Sequence, residues 1–232
     1  MYKVSKEVRS FQGEINISGS KSESNRLLVI RAYTSFFKII NISDSDDTNT
    51  MISALKSNDK EINIGHAGTA MRFLTSYFSS ILNSSIILTG SARMKNRPIS
   101  ILVDALNNLG ADIEYIDNIG FPPIRLRGKL ISNDTVSLPA NVSSQYISSL
   151  MMLGVSLKEG LKIKISTKIT SLPYVQMTKK IIERVGGKVV IQSDNIIIKP
   201  FQSDNISDQI VESDWSSASY FFSLVALSDY SE

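Results

Sequence analysis

Apolar positions fall at helical spacing in two segments that echo each other. In RPISILVDALNNLGADIEYI, which begins at Arg97, the stripe is Leu102, Ala105, Leu106 and Leu109. In LPYVQMTKKIIERVGGKVVI, which begins at Leu172, it is Tyr174, Met177, Ile181 and Val185. Each has a proline near its start (Pro98, Pro173) and a glycine just past its end (Gly110, Gly186). Proline suits a first turn, where its missing N–H is not needed, and glycine suits the residue that closes a helix. A short run follows each helix, ADIEYI and GKVVIQ, and reads as a strand. DDTNTMISALKSNDKEINIG is a fainter third copy.

A second class of helix recurs, with small polar residues at its start and an apolar body: SKSESNRLLVIRAY, GHAGTAMRFLTSYF, NVSSQYISSLMMLGV and DWSSASYFFSLVAL. A helix apolar nearly all round belongs in a core, so these are expected at the centre. Gly110 and Gly186 lie 76 residues apart, too long a period for a solenoid unit. The pattern predicts an α/β (α+β) domain of three repeated α/β units about a pseudo-threefold axis. Each unit would give one buried helix to the centre and one to the outside, with a sheet between. The polar helix starts should then gather at one end, with Lys21, Arg26, Thr69 and several serines around one cleft. Capping alone explains any single copy, since Ser and Thr are good N-caps. Several copies with cations among them read as an anion site, because a helix start already offers free N–H groups and partial positive charge.

Composition narrows the chemistry. The 232 residues are 42% hydrophobic and 20% charged, enough for one large domain or two small ones. The net charge of +3 comes from scattered residues, which reads as a solvated mixed surface and not a nucleic-acid face. There is no cysteine and one histidine, which removes disulfides, thiolate nucleophiles and any Ser-His triad that does not use His66. No apolar run approaches a membrane span, and MYKVSKEVRSF has no signal-like apolar stretch, so a soluble cytoplasmic protein is expected. The Lys-Ser pair in GSKS is not a Walker loop, because Ser20 precedes Lys21 and position 15 is isoleucine.

GSKSESNR, GHAGTAMRFL, RMKNRPI, NVSSQY and SLPYVQMT stand in the order and approximate spacing of a known family. Together they make the chain resemble the enolpyruvyl transferases, most closely those acting on shikimate 3-phosphate in chorismate and aromatic amino-acid biosynthesis. ESDWSSASYFF resembles the return of that family's chain into its other domain. The resemblance covers nearly the whole chain and implies two similar domains in a protein about twice as long. It divides this chain into residues 1–18 as part of the first domain, 19–210 as the complete second domain and 211–232 as the start of the return. It implies small-molecule substrates, shikimate 3-phosphate and phosphoenolpyruvate. It implies no metal or organic cofactor, no nucleic acid, no membrane and a monomeric full-length enzyme.

Residue by residue, Lys21 matches the lysine that touches both substrates, and with Gln145 is the catalytic expectation. Ser22 and Arg26 match the pair that holds the shikimate carboxylate, where a planar guanidinium can bind bidentately. Ser143, Ser144 and Ser171 match the hydroxyls on the 3-phosphate, Gln145 an amide meeting both substrates, and Tyr174 a pocket wall. Gly68 and Arg97 match the phosphoenolpyruvate and glyphosate site. Arg72 reads as a structural ion pair, Arg93 and Lys95 as solvated, and Asp214 as a site-edge residue. His66 stands where many relatives have asparagine, and is not read as the general base. The acid–base groups and two further arginines are expected in the other domain, so this chain alone is expected not to turn over. The rivals are the related transferase acting on UDP-N-acetylglucosamine, whose first motif reads Lys-Asn, and a non-catalytic anion-binding domain on the same scaffold.

Overall fold

The computed structural model describes residues 10–34, 37–139, 143–166, 171–192, 194–201 and 205–231. Asn141 and Val142 of the NVSSQY motif, and residues 1–9 of the segment 1–18, lie outside the described residues. The chain runs β1 (Ser10–Phe11), α1 (Lys21–Tyr33), β2 (Ile39–Ile40), α2 (Asp46–Lys56), β3 (Glu61–Asn63) and α3 (Gly68–Ser80). It continues through β4 (Ser85–Thr89), α4 (Ala92–Lys95), α5 (Ser100–Asn108), β5 (Asp112–Tyr115), β6 (Ile124–Arg127) and β7 (Thr135–Leu138). Then come α6 (Ser144–Ser156), β8 (Leu161–Ile165), α7 (Leu172–Arg184), β9 (Val189–Ile191), β10 (Asn195–Ile198), β11 (Gln209–Ile210), α8 (Trp215–Ala226) and β12 (Tyr230–Ser231).

The predicted helix classes separate in space. Helices α1, α3 and α6 each pack against the other two, and α2, α5 and α7 lie outside them against one or more of the three. On α1 every residue from Glu23 to Ile30 is buried, polar ones included, as a central helix requires. Ser149 on α6 donates to the Arg72 carbonyl on α3 at 2.8 Å, and Ser76 on α3 meets Ser149 Oγ at 2.7 Å. These hydroxyls fill polar gaps between backbones that approach closely, and being paired they escape the cost of burying an unsatisfied group.

Two sheets repeat one plan. In β3-β4-β6-β5 and in β7-β8-β10-β9 the first pair is parallel and the other two are antiparallel. The other two sheets among the described residues are the parallel pairs β11-β2 and β1-β12. Gly110 and Gly186 close α5 and α7 with φ of 102° and 99°, a conformation that side chains resist.

Two expectations are corrected. The α7 stripe that faces the core is Val175, Thr178, Ile181 and Ile182; Tyr174 is 47% exposed. The fourth apolar helix, α8, is not central: it has no buried residue, and Trp215, Tyr220 and Leu227 are at least 75% exposed. No helix among the described residues is long and apolar enough to cross a membrane.

Candidate functional site

The starts of the central helices converge. Gln145, in the first turn of α6, donates from Nε2 to Thr69 Oγ1, in the first turn of α3, at 3.4 Å. Arg26, one turn into α1, reaches Ser148, one turn into α6, at 3.2 Å. Capping explains only one of these starts. Ser143 caps α6 by accepting the Gln145 N–H, but Ser20 and Ala67 before α1 and α3 make no side-chain cap. The α1 start is met from 193 residues away, where Asp214 Oδ2 accepts the Lys21 N–H at 3.2 Å. Asp214 also caps α8, accepting from Ser216 N–H at 2.8 Å and Ser217 N–H at 3.3 Å. Partial burial pushes its carboxyl up, but the N–H donors of Lys21, Ser217 and Ser216 outweigh this and hold it below the usual range.

Arg26 is almost fully enclosed, at 2% exposure. Nε donates to Thr178 Oγ1 at 2.7 Å, one terminal nitrogen to the Ser22 carbonyl at 2.8 Å and the other to Ser148 Oγ at 3.2 Å. Its guanidinium carbon lies 5.4 Å from the Phe73 ring centre and 5.9 Å from that of Tyr174. No carboxylate pairs with it among the described residues, which excludes a surface salt bridge. Burial lowers its pKa to about 10, with Tyr174 opposing. A buried guanidinium without an anion keeps a net charge that a ligand carboxylate would offset. Tyr174 thus stands beside Arg26, with one ring face partly open.

Lys21 and the serines are more accessible. Lys21 Nζ is 3.8 Å from Asp47, with its side chain 45% exposed. The Ser22 and Ser144 hydroxyls have no protein partner among the described residues. Ser171 is exposed and adopts φ 57°, ψ 44° just before Pro173, as the N-cap of α7, with no side-chain cap. A non-glycine residue there costs on the order of 1 kcal/mol, so the packing of α7 holds it in place.

Gly68 and Arg97 meet directly. A side chain at 68 would collide with the Arg97 guanidinium, which lies against the glycine. The Arg97 side chain is exposed and has no acidic partner among the described residues. It lines a cavity of about 400 Å³ with His66, Arg93 and Met94; none of these is acidic. Arg93 is exposed, in keeping with its reading as solvated, and also lines this cavity. A larger cavity, about 510 Å³, opens between Glu23, Met177, Lys180 and Arg184. None of the expected ligand residues lines it, and its charges are mixed.

Arg72 has no acidic partner among the described residues, so it is not the ion pair expected. It is 5% exposed, and its guanidinium donates to the carbonyls of Gly68 at 3.1 Å and Pro98 at 3.3 Å. Burial lowers its pKa most, Tyr146 opposes and Arg97 adds to the lowering. It ties the start of α3 to the segment that bears Arg97. Tyr146 strengthens the tie by donating to the same Pro98 carbonyl at 2.7 Å.

Sequence reasoning passed over four participants. Thr178 and Ser148 receive Arg26, Ser91 meets His66, and Glu23 pairs with Arg184 while accepting the Glu212 N–H at 3.1 Å. Only Glu23 left a usable signal, as an acidic residue in a helix first turn that leads into an apolar run.

Comparison with known proteins places this geometry in context. A family model described as EPSP synthase (3-phosphoshikimate 1-carboxyvinyltransferase) matches residues 55–231. A 3-phosphoshikimate 1-carboxyvinyltransferase of Bacteroides fragilis YCH46 is 46% identical over 215 residues, which cover 92% of this chain and 52% of that protein. One from Colwellia psychrerythraea is 37% identical over 251 residues, covering 95% of this chain and 58% of that protein. A solved EPSP synthase from Acinetobacter baumannii shares the fold with TM-score 0.76 at 20% identity, covering 92% of this chain and 53% of that one. The chain spans about half the length of the curated relatives it matches.

Proposed function

The chain belongs to the EPSP synthase (3-phosphoshikimate 1-carboxyvinyltransferase) family, and from that membership we propose that it forms one half of an enolpyruvyl transferase. The whole enzyme would move the enolpyruvyl group of phosphoenolpyruvate to the 5-hydroxyl of shikimate 3-phosphate and release phosphate. On this reading residues 19–210 are the shikimate 3-phosphate domain, and residues 1–18 and 211–232 belong to the other domain. It is a cytoplasmic, monomeric enzyme when complete, and a chain of this length does not turn over.

The observation that carries the reading is the unpaired Arg97 guanidinium laid against Gly68, in a cavity whose lining holds a second arginine and no acid. This is where phosphoenolpyruvate binds. Arg26 and the Ser22 hydroxyl take the shikimate carboxylate. Ser143, Ser144 and Ser171 take the 3-phosphate, with help from the backbone N–H groups at the α6 start. Gln145 and Lys21 stand between the two anions.

The 5-hydroxyl oxygen bonds to the substituted enol carbon while a proton adds to the terminal one. The tetrahedral intermediate then loses phosphate and a proton to restore the double bond. Fixed cations and N–H groups contribute by holding charge that water would otherwise solvate, without having to reorganise. The groups that move the protons lie in the half outside residues 1–232, and domain closure brings the half-sites together.

Calorimetric titration with shikimate 3-phosphate tests this. Saturable binding that is lost in Ser144→Ala plus Arg26→Ala, and weakened in the milder Ser144→Ala, supports it. Binding indifferent to Ser144→Ala in a folded protein would overturn the assignment of this ligand, and turnover by the chain alone would overturn the placing of the acid–base groups.

A further inference from the structure

We propose that His66 is an oriented hydrogen-bond donor of the anion cavity and that Ser91 sets its tautomer. The proposal deepens the reading above and rests on it: the ligand is the phosphate or carboxylate of phosphoenolpyruvate.

His66 Nδ1 lies 2.8 Å from Ser91 Oγ. Ser91 is also the N-cap of α4, and its Oγ accepts the Met94 N–H at 3.3 Å. A hydroxyl has one proton to give and two lone pairs. One lone pair is directed at Met94 N–H, and among the described residues Nδ1 is the one acceptor in reach of the Ser91 hydrogen. The satisfied arrangement is Ser91 O–H donating to Nδ1. The reverse, with Nδ1–H donating to Ser91, has the hydroxyl accept twice and turns its own hydrogen away from the ring to solvent. When Nδ1 accepts, the neutral ring keeps its proton on Nε2.

Nε2 has no protein partner among the described residues, and His66 is exposed and lines the same cavity as Arg93 and Arg97. In that tautomer the imidazole offers its Nε2–H to whatever anion the arginines attract. The two functions differ. Exposed guanidiniums supply charge, while a ring anchored through Ser91 supplies direction, and a donor already in place gives up little freedom on binding.

The chain has a single histidine, so selective ¹⁵N labelling isolates this ring. Long-range ¹H–¹⁵N correlation on the whole chain is expected to show the Nε2–H tautomer, and titration with phosphoenolpyruvate to move Nε2 more than Nδ1. By calorimetry His66→Ala weakens phosphoenolpyruvate about tenfold, the loss of one hydrogen bond to a charged acceptor. His66→Asn, which keeps a donor, recovers most of that, and Ser91→Ala produces mixed tautomers with an intermediate loss. An Nδ1–H tautomer in the parent overturns the proposal. So does phosphoenolpyruvate binding that is abolished by Arg97→Ala yet unchanged by His66→Ala with Nε2 unmoved; that result leaves the anion site standing. Binding indifferent to both substitutions, or no binding at all, overturns the anion site and the role of His66 together.

Discussion

Arg26 Nε on α1 donates to Thr178 Oγ1 on α7, 2.7 Å away and 152 residues further along the chain. Thr178 Oγ1 is in turn 2.8 Å from Ser148 Oγ on α6. One guanidinium thus ties three helices together while one side of it faces the Tyr174 ring. Structure and ligand binding share the group, so substitution affects both. Arg26→Ala is expected to destabilise the fold by about 2 kcal/mol or more, because Thr178 and Ser148 lose a partner where water does not reach. Arg26→Lys should recover little, since one ammonium cannot span three acceptors in a fork. Urea unfolding of the variants beside the parent checks both, and a neutral Arg26→Ala would refute the structural part.

Gly68→Ala separates binding from stability. The added methyl meets the Arg97 guanidinium, the free end of a flexible side chain, and displaces it. Helix α3 itself gains from alanine at its first position. The expected outcome is an unchanged or slightly raised melting temperature together with a loss of phosphoenolpyruvate affinity on the order of tenfold, read by calorimetry.

Asp214 gives the acid limb of stability a testable slope. Its folded carboxyl is held below the ordinary value of about 4 that it has in the unfolded chain. Between the two values the unfolded state binds more protons, so the contribution is complete above about pH 4 and is lost as pH falls through the lower folded value. Melting temperatures of Asp214→Asn and parent should therefore converge as pH falls through that window and differ above it. Curves that stay parallel through the acid range would argue against a depressed carboxyl.

The single tryptophan, Trp215, is 75% exposed on α8 and stacks on Phe222 with ring centres 6.3 Å apart. Its emission should be that of a solvated indole, and acrylamide should quench it efficiently in the native chain. Trp215→Ala should change unfolding free energy by less than about 0.5 kcal/mol, as exposed positions do.

Much of the architecture was legible beforehand, and the reason is local. Apolar spacing marks α5, and more faintly α2, because a helix repeats its faces every few residues, whatever it packs on. Gly110 and Gly186 announce helix ends because backbone geometry makes them needed there. Motif order, a property of the covalent chain, pointed to the family. The misreadings have equally physical causes. Tyr174 fits the α7 stripe by spacing, yet the core takes Val175 and Thr178 instead. The wedge of α7 between α1 and α6 sets its rotation, and that depends on helices far away in sequence. DWSSASYFFSLVAL has the look of a buried helix, but burial depends on what packs over it, which periodicity does not encode.

The sequence by itself determined the main helices and the short strands after α5 and α7, the two interleaved helix classes and the five ordered motifs, since all of these reside in spacing along one chain. Only the tertiary structure decided which cations are buried and with what. It turned Arg72 from an ion pair into a clamp on two carbonyls and brought Asp214 to the start of α1 from 193 residues away. These are contacts between residues far apart in the chain. They exist only once the hydrophobic core has placed its helices, because burial, and not residue type alone, determines whether a charge is solvated, paired or left waiting for a ligand.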